Sequence, residues 1–236
     1  MAKSKRKKRR EAYQTEAVFS ALDQSITRSE RFIEKYQKAL IGVFGALILG
    51  AFGYYGYQNM YVKPREKEAT DEIFHAVQYL ERDSLDYALQ GDGQNYGLVT
   101  IVDRYSGTRA ANLARFYAGV AYLKKSKYEE AIEYLDAFSS GDELAAAQAK
   151  GLIGDAFMEL DQFDVAKEYY ERAAEMRKNA FTTPVYLKKA AMACIAQKDW
   201  KSVAGYFKEI KETYPKSIEA AEADKYIARS LAAQKN

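Results

Sequence analysis

The sequence predicts an all-α protein, a single transmembrane helix followed by a solenoid of paired helices. Three observations predict it. Ala39–Tyr57 is a run of 19 residues without a charge. Downstream, small and aromatic residues recur in three segments whose equivalent positions are 35 and 37 residues apart. The three prolines, Pro64, Pro184 and Pro215, all fall where a helix would start or break, the places a helical chain tolerates them.

Charge divides the 236 residues. Residues 1–38 carry 11 Lys/Arg against 5 Asp/Glu, and residues 58–236 carry 25 against 28. The expected organisation is a basic, partly disordered cytoplasmic tail over 1–37 and a transmembrane helix over 38–61. A membrane-exit helix with an irregular first helix pair follows over 62–106, then three repeats over 107–216 and a capping helix over 217–236. A mildly acidic folded part offers no basic face to nucleic acid. The tail block Lys3, Lys5, Arg6, Lys7, Lys8, Arg9 and Arg10 reads as a topology signal; anionic lipid and ribosomal RNA are the phosphate-bearing alternatives it could touch.

The uncharged run spans about 28 Å as a helix, close to the hydrocarbon thickness of a bilayer. Tyr36 precedes it, and Tyr54, Tyr55, Tyr57 and Tyr61 cluster at its end, as in the aromatic belts of spanning helices. It exceeds the roughly 7–15 apolar residues of a cleaved signal and runs into bulky tyrosines, so an uncleaved anchor is expected. Arg28, Arg31, Lys35 and Lys38 before the helix, against Lys63, Arg65 and Lys67 after it, place the N-terminus in the cytoplasm. At about 100° per residue, Ala39, Gly42, Gly45, Ala46, Gly50, Gly53 and Gly56 share an arc of about 140°, with Ala51 opposite. Small residues on one face let a second helix approach closely. The stripe therefore predicts a partner within the membrane, either a copy of this chain or another membrane protein.

The repeat segments are 112–144, 147–179 and 184–216. The first carries Gly119, Tyr122, Ala131 and Leu135, the second Gly154, Phe157, Ala166 and Tyr170, the third Ala191, Cys194, Val203 and Phe207. This arrangement resembles the tetratricopeptide repeat, two antiparallel helices, A and B, in about 34 residues. The motif's helix A tryptophan is absent from all three. Each pair buries one face, so pairs must stack and the ends need polar caps. Ser217–Gln234 is expected as one amphipathic cap with Ile218, Ala221, Tyr226, Ile227 and Leu231 inward. Upstream, helices are expected over Pro64–Glu81 (Ile73, Phe74, Val77, Leu80 apolar), near Ser84–Leu89, and over Asn95–Tyr105 (Leu98, Ile101, Val102). Gly91-Asp92-Gly93-Gln94-Asn95 lacks the acidic spacing of a calcium loop and reads as a turn.

Catalytic signatures are missing. One histidine, His75, and one cysteine, Cys194, leave no Ser/His/Asp or Cys/His set, no disulfide framework and no zinc site. His75 reads as a helix-surface or packing residue and Cys194 as a small buried one. No enzyme activity, metal, cofactor or small-molecule substrate is expected. A tetratricopeptide solenoid presents a concave surface lined by its A helices. The groove side chains would be Phe116, Val120, Leu123, Gln148, Asp155, Met158, Lys188 and Met192, mixed and fairly apolar, with flexible methionines.

Three stretches stand out beside the layout: Tyr61-Val62-Lys63-Pro64-Arg65-Glu66-Lys67-Glu68-Ala69, Asp83-Ser84-Leu85 with Gly91-Asp92-Gly93, and Gly107-Thr108 with Ala110-Ala111-Asn112-Leu113-Ala114. With them, the whole layout is similar to the YfgM-type ancillary subunits of the SecYEG translocon, in a Bacteroidota-like form. The resemblance covers about residues 35–236; the long basic leader departs from it. The resemblance implies a bacterial inner-membrane protein with a periplasmic domain. It implies binding to translocon subunits, secreted chains or a periplasmic chaperone, and carries over no catalytic residue. The alternative is a structural scaffold of another envelope complex, serving cell division, outer-membrane assembly or gliding.

Overall fold

The computed structural model describes residues 36–39 and 41–235, so the basic block and the rest of the leader through residue 35 lie outside the described residues. The chain divides into two compact units, Met1–Tyr61 and Val62–Asn236.

In the first unit, residues 41–57 are helical (α1). They carry the one apolar stretch, among the described residues, that makes a helix long and apolar enough to cross a membrane. None of these residues is buried, and Ile41, Leu49 and Phe52 all stand exposed. A core helix of a soluble domain would hide one face. The chain continues through a π-helical turn, Gln58–Val62. There the rings of Tyr57 and Tyr61 stack at 5.4 Å.

Among the described residues of the second unit every regular element is helical, the one strand-like feature being an isolated bridge between Gly91 and Tyr96. Its helices are α2 (Lys63–Glu81), α3 (Leu85–Gln90), α4 (Leu98–Arg104), α5 (Arg109–Lys124), α6 (Tyr128–Asp136), α7 (Glu143–Glu159), α8 (Phe163–Met176), α9 (Thr183–Ala196) and α10 (Trp200–Thr213). A 3₁₀ turn, Glu219–Glu222, then leads into α11 (Ala223–Ala233). α5/α6, α7/α8 and α9/α10 form the three A/B hairpins.

The hairpin bends share one device. Ser126, Asp161 and Lys198 adopt left-handed backbone conformations with φ of 56°, 57° and 63°. The amide of the next residue reaches back to a carbonyl five earlier: Lys127 to Tyr122 (2.9 Å), Gln162 to Phe157 (2.9 Å) and Asp199 to Cys194 (2.9 Å). This satisfies the last free carbonyls of each A helix and turns the chain back at once. Asp83 after α2 does the same (φ 59°), with Ser84 bonded to Tyr79 at 2.8 Å. α2 therefore ends as an A helix does, and the first pair is a degenerate repeat. Its bend lies 43 residues before the next, outside the sequence period.

Within each hairpin a B-helix side chain seats on a small A-helix residue. A Cβ at Gly119 would lie 2.4 Å from Leu135 Cγ, and one at Gly154 would lie 2.6 Å from the Tyr170 ring. In the third pair Ala191 and Phe207 share one buried cluster. Gly154→Ala is therefore expected to destabilise by about 1–3 kcal/mol despite alanine's better helix propensity. Tyr170 cannot step aside, being 2% exposed and bonded to Asp155 through its hydroxyl. Gly205 in α10 has nothing within 4 Å of a Cβ, so Gly205→Ala should stabilise by about 0.5–1 kcal/mol. Urea denaturation of both variants reads the opposite signs; a stabilising Gly154→Ala would refute the close seat.

The first pair departs from the sequence expectation in two places. α2 buries Ala69, Ile73, Ala76 and Leu80, while Phe74 is 60% exposed, because it stands about 100° round the helix from Ile73. α4 begins at Leu98, three residues later than expected, because Asp92 captures the backbone ahead of it. Its carboxylate accepts the amides of Gln94 (2.8 Å) and Asn95 (2.6 Å), the Asn95 side chain (2.9 Å) and the Tyr79 hydroxyl (2.7 Å). Gly91 permits the turn: its φ is +88°, and a Cβ there would lie 2.3 Å from the Asn95 carbonyl oxygen.

Those donors hold the Asp92 carboxyl far below the usual aspartate range, the Asn95 amide contributing most. A depressed folded pKa gives stability that is present above about pH 4, the unfolded value, and lost as pH falls through the folded one. The difference in denaturation midpoint between the protein and Asp92→Ala is thus expected to be full at pH 7 and to narrow below about pH 4. A difference that stays constant over this range would remove the carboxylate from the account.

The C-terminal cap also differs from the single helix expected. It begins as the 3₁₀ turn, and this shifts the face that α11 turns inward. Ala223 and Ser230 are buried, with Tyr226 and Ile227 half-buried against the same cluster. Ile218 is 86% exposed, Leu231 is 52% exposed and Ala221 is exposed, so these three do not face the core.

Candidate interaction surfaces

The A helices α7 and α9 lie side by side in the same sense. Gly151 of α7 receives the Tyr186 ring of α9, 2.4 Å from where a Cβ would be, and one turn on Asp155 meets Lys189. This is the face on which the groove side chains are expected.

Seven of the eight expected groove residues are half-buried, and Gln148 alone is exposed. Phe116 sets its ring 5.3 Å from that of Phe138. It packs with Leu123 on the buried cluster Leu135, Ala149 and Ile153. Val120 packs on the first core cluster, Met158 on the cluster of Ala166, Tyr170, Ala190 and Ala193, and Met192 on that of Phe207. Asp155 accepts the Tyr170 hydroxyl at 2.7 Å and Lys189 Nζ at 2.7 and 2.8 Å. Lys188 pairs instead with Glu222 in the 3₁₀ turn. The eight therefore divide into side chains of four separate packing clusters, two charges held by partners and one free amide.

The Asp155 site joins three helices. Burial, then the neighbouring Asp155 charge, pushes the Tyr170 phenol well above the ordinary range, so it serves as a fixed donor. Lys189 escaped the sequence reading. A charge of opposite sign 34 residues downstream, one repeat length, is the signal that could have identified it.

A different surface is formed by α8, α9 and α10. A cleft of about 470 Å³ lies among Glu168, Glu171, Glu175, Glu209, Arg172 and Lys178, with Tyr206 in its wall. The Tyr206 hydroxyl donates to Glu171, and burial, then that bond, pushes its pKa well up. Cys194 is buried, and burial pushes its thiol up to about 11, which leaves almost no thiolate at neutral pH. His75 is exposed on α2 beside the Phe74 ring.

Among the described residues, the face of α1 bearing Gly42, Gly45, Ala46, Gly50, Gly53 and Gly56 is open, and Ala39 just before it is exposed. A Cβ at any of its five glycines would meet nothing within 4 Å.

Residues 99–143 match the tetratricopeptide repeat family. The matched stretch runs from α4 through the α5/α6 hairpin to the first residue of α7. The α7/α8 and α9/α10 hairpins beyond it repeat the same bends and seats. No curated protein matches the chain.

Proposed function

We propose that the chain is a membrane-anchored protein–protein interaction module, an ancillary subunit of the Sec translocon in a bacterial inner membrane. The observation that carries the reading is a tetratricopeptide-type array on a chain whose described residues also include one apolar helix with no buried residue. Repeat arrays of this kind present extended surfaces to protein partners. The apolar, unburied α1 supports an anchor, and the basic excess before it supports a cytoplasmic N-terminus with the repeats in the periplasm. Its small-residue face is the proposed intramembrane contact. Phe116, Val120, Leu123, Gln148, Asp155, Met158, Lys188 and Met192 are the proposed partner groove. The resemblance to YfgM-type subunits supports secreted chains or a periplasmic chaperone as what that groove meets.

A second reading, a scaffold of another envelope complex holding one folded partner, draws support from the fixed state of the groove. Partners within the chain hold Asp155 and Lys188, which suits a preformed surface. Crosslinking with mass spectrometry in native membranes separates the two. The first reading expects translocon subunits linked to α1 and varied chains linked near Gln148. A single stoichiometric partner that persists when residues 1–61 are removed would favour the scaffold and overturn the translocon assignment.

A further inference from the structure

The seven exposed large apolar side chains of the second unit are unevenly placed. Four of them lie toward one end of the helices: Leu113 and Leu144 near the starts of α5 and α7, Phe181 and Ile218 in the connections leading out of α8 and α10. Hydrogen bonds tie these segments into one edge. Glu66, in the first turn of α2, accepts the amides of Arg109 (2.8 Å) and Ala110 (3.0 Å) at the start of α5. Asn112 exchanges two bonds with the backbone of Ser139 (2.6 and 3.1 Å) in the α6–α7 connection. The parallel course of α7 and α9 brings the α8–α9 connection to the same side. Lys188 of α9 then pairs with Glu222 at the end of the α10–α11 connection.

Phe181 and Ile218, at 85% and 86% exposed, are the two most exposed of the seven. The loop that carries Phe181 is tightly built. Asn179 Oδ1 accepts the amides of Phe181 and Thr182 at 2.8 Å each, and its Nδ2 donates to the Arg177 carbonyl at 2.7 Å. Thr183 Oγ1 accepts the Asn179 amide at 2.9 Å. A rigid loop thus holds an aromatic ring out in solvent. Arg177 and Lys178 precede it and Lys216 precedes Ile218, all exposed. Apolar tips beside basic residues are the chemistry of interfacial lipid binding.

The covalent chain says which surface lies within reach. α2 begins on this edge, and only Gln58–Val62 separate it from the end of α1 at residue 57. Even fully extended, those residues reach about 20 Å. The opposite edge, where the A helices end, is the length of an A helix, about 25 Å, from the edge at which α2 begins, more than those residues can span.

We infer that the edge bearing Phe181 and Ile218 docks on the lipid surface of the membrane that holds α1. The two side chains enter the boundary between headgroups and acyl chains, and Arg177, Lys178 and Lys216 meet lipid phosphates. This rests on the reading of α1 as a membrane anchor.

The test uses the full chain reconstituted in vesicles of phosphatidylethanolamine and phosphatidylglycerol with brominated acyl chains. A bimane fluorophore is placed by Ala180→Cys beside the edge, by Gln197→Cys on the opposite edge, or by Phe52→Cys in α1. Buried Cys194 stays unlabelled at pH 7. Quenching at 180 is expected to exceed that at 197 by about threefold, and to fall to the level of 197 when Phe181→Asp and Ile218→Asp are added. Equal quenching at 180 and 197, with 52 strongly quenched, would overturn the inference while leaving the anchor intact. An unquenched label at 52 would overturn the anchor and the inference with it. Shielding of 180 from aqueous iodide in native membranes, without quenching in pure lipid, would assign the edge to a protein partner and overturn the lipid assignment.

Discussion

Phe207→Ala is expected to cost about 3–5 kcal/mol and to release the C-terminal end of the array before the rest. Phe207 has no exposed surface, and its ring stacks on that of Tyr226 at 4.3 Å and 5°. It occupies in the third hairpin the seat that Leu135 and Tyr170 occupy in the first two, and it is also the residue on which α11 packs. Truncation opens a cavity bordered by Val203, Ile210 and Ala223, which lie on helices held apart by their own backbones. Each hairpin of a repeat array contacts only its neighbours, so the loss is local before it is global. Hydrogen exchange should show α9–α11 opening first, with α5 and α6 protected near their original level. A uniform rise in exchange over all the hairpins, or a cost below about 1 kcal/mol, would contradict this account.

Leucine at Gly42, Ala46, Gly50 and Gly53 together is expected to abolish co-purification of the proposed membrane partner. The glycines among these positions have room for a side chain among the described residues, where nothing lies within 4 Å of a Cβ at any of them. Leucine is also a better helix former than glycine, so α1 should keep its helix. What the leucines remove is close backbone approach by a second helix, the source of dispersion contacts in a medium where apolar burial gives no driving force. Leu47→Ala and Ile48→Ala, on positions off the stripe, are the controls and should retain the partner. Complete co-purification of the leucine variant would sink the intramembrane interface and leave the repeat array as the only binding surface.

The elements were legible where one residue type had one physical outlet. Nineteen uncharged residues made a long apolar helix legible, and Gly119 and Gly154 could be paired with Leu135 and Tyr170 from the period alone. The pair that α2 opens, ahead of the three hairpins, was harder. Its αL bend at Asp83 is the same device as at Ser126, Asp161 and Lys198. Yet aspartate, serine and lysine share no pattern that marks a left-handed backbone, because it is the hydrogen bonds across the bend that hold it. The late start of α4 was hidden for a similar reason, since Asp92 competes for amides that a helix would otherwise use.

The candidate surfaces were less legible. Counting along the A helices selected Phe116, Leu123 and Met158 as groove residues, but half-burial against three separate clusters depends on how the next hairpin leans. Lys188 and Lys189 are adjacent lysines, and only packing sends one to Glu222 and the other to Asp155. Phe181 lay in the segment that took up the extra length between repeats two and three. Nothing in its neighbours' chemistry said that Asn179 would hold it out in solvent.

The sequence by itself determined the all-helical class, the apolar run with its small-residue face, and the repeat period, because each follows from composition or from spacing along one helix. Only the tertiary structure decided that α2 closes the array as a degenerate first repeat, which charges are already satisfied, and that the exposed apolar tips gather on the edge where the chain leaves toward α1. Those outcomes depend on which surfaces meet across 30–40 residues of chain, as with Asp155 and Lys189, and no local pattern encodes that meeting.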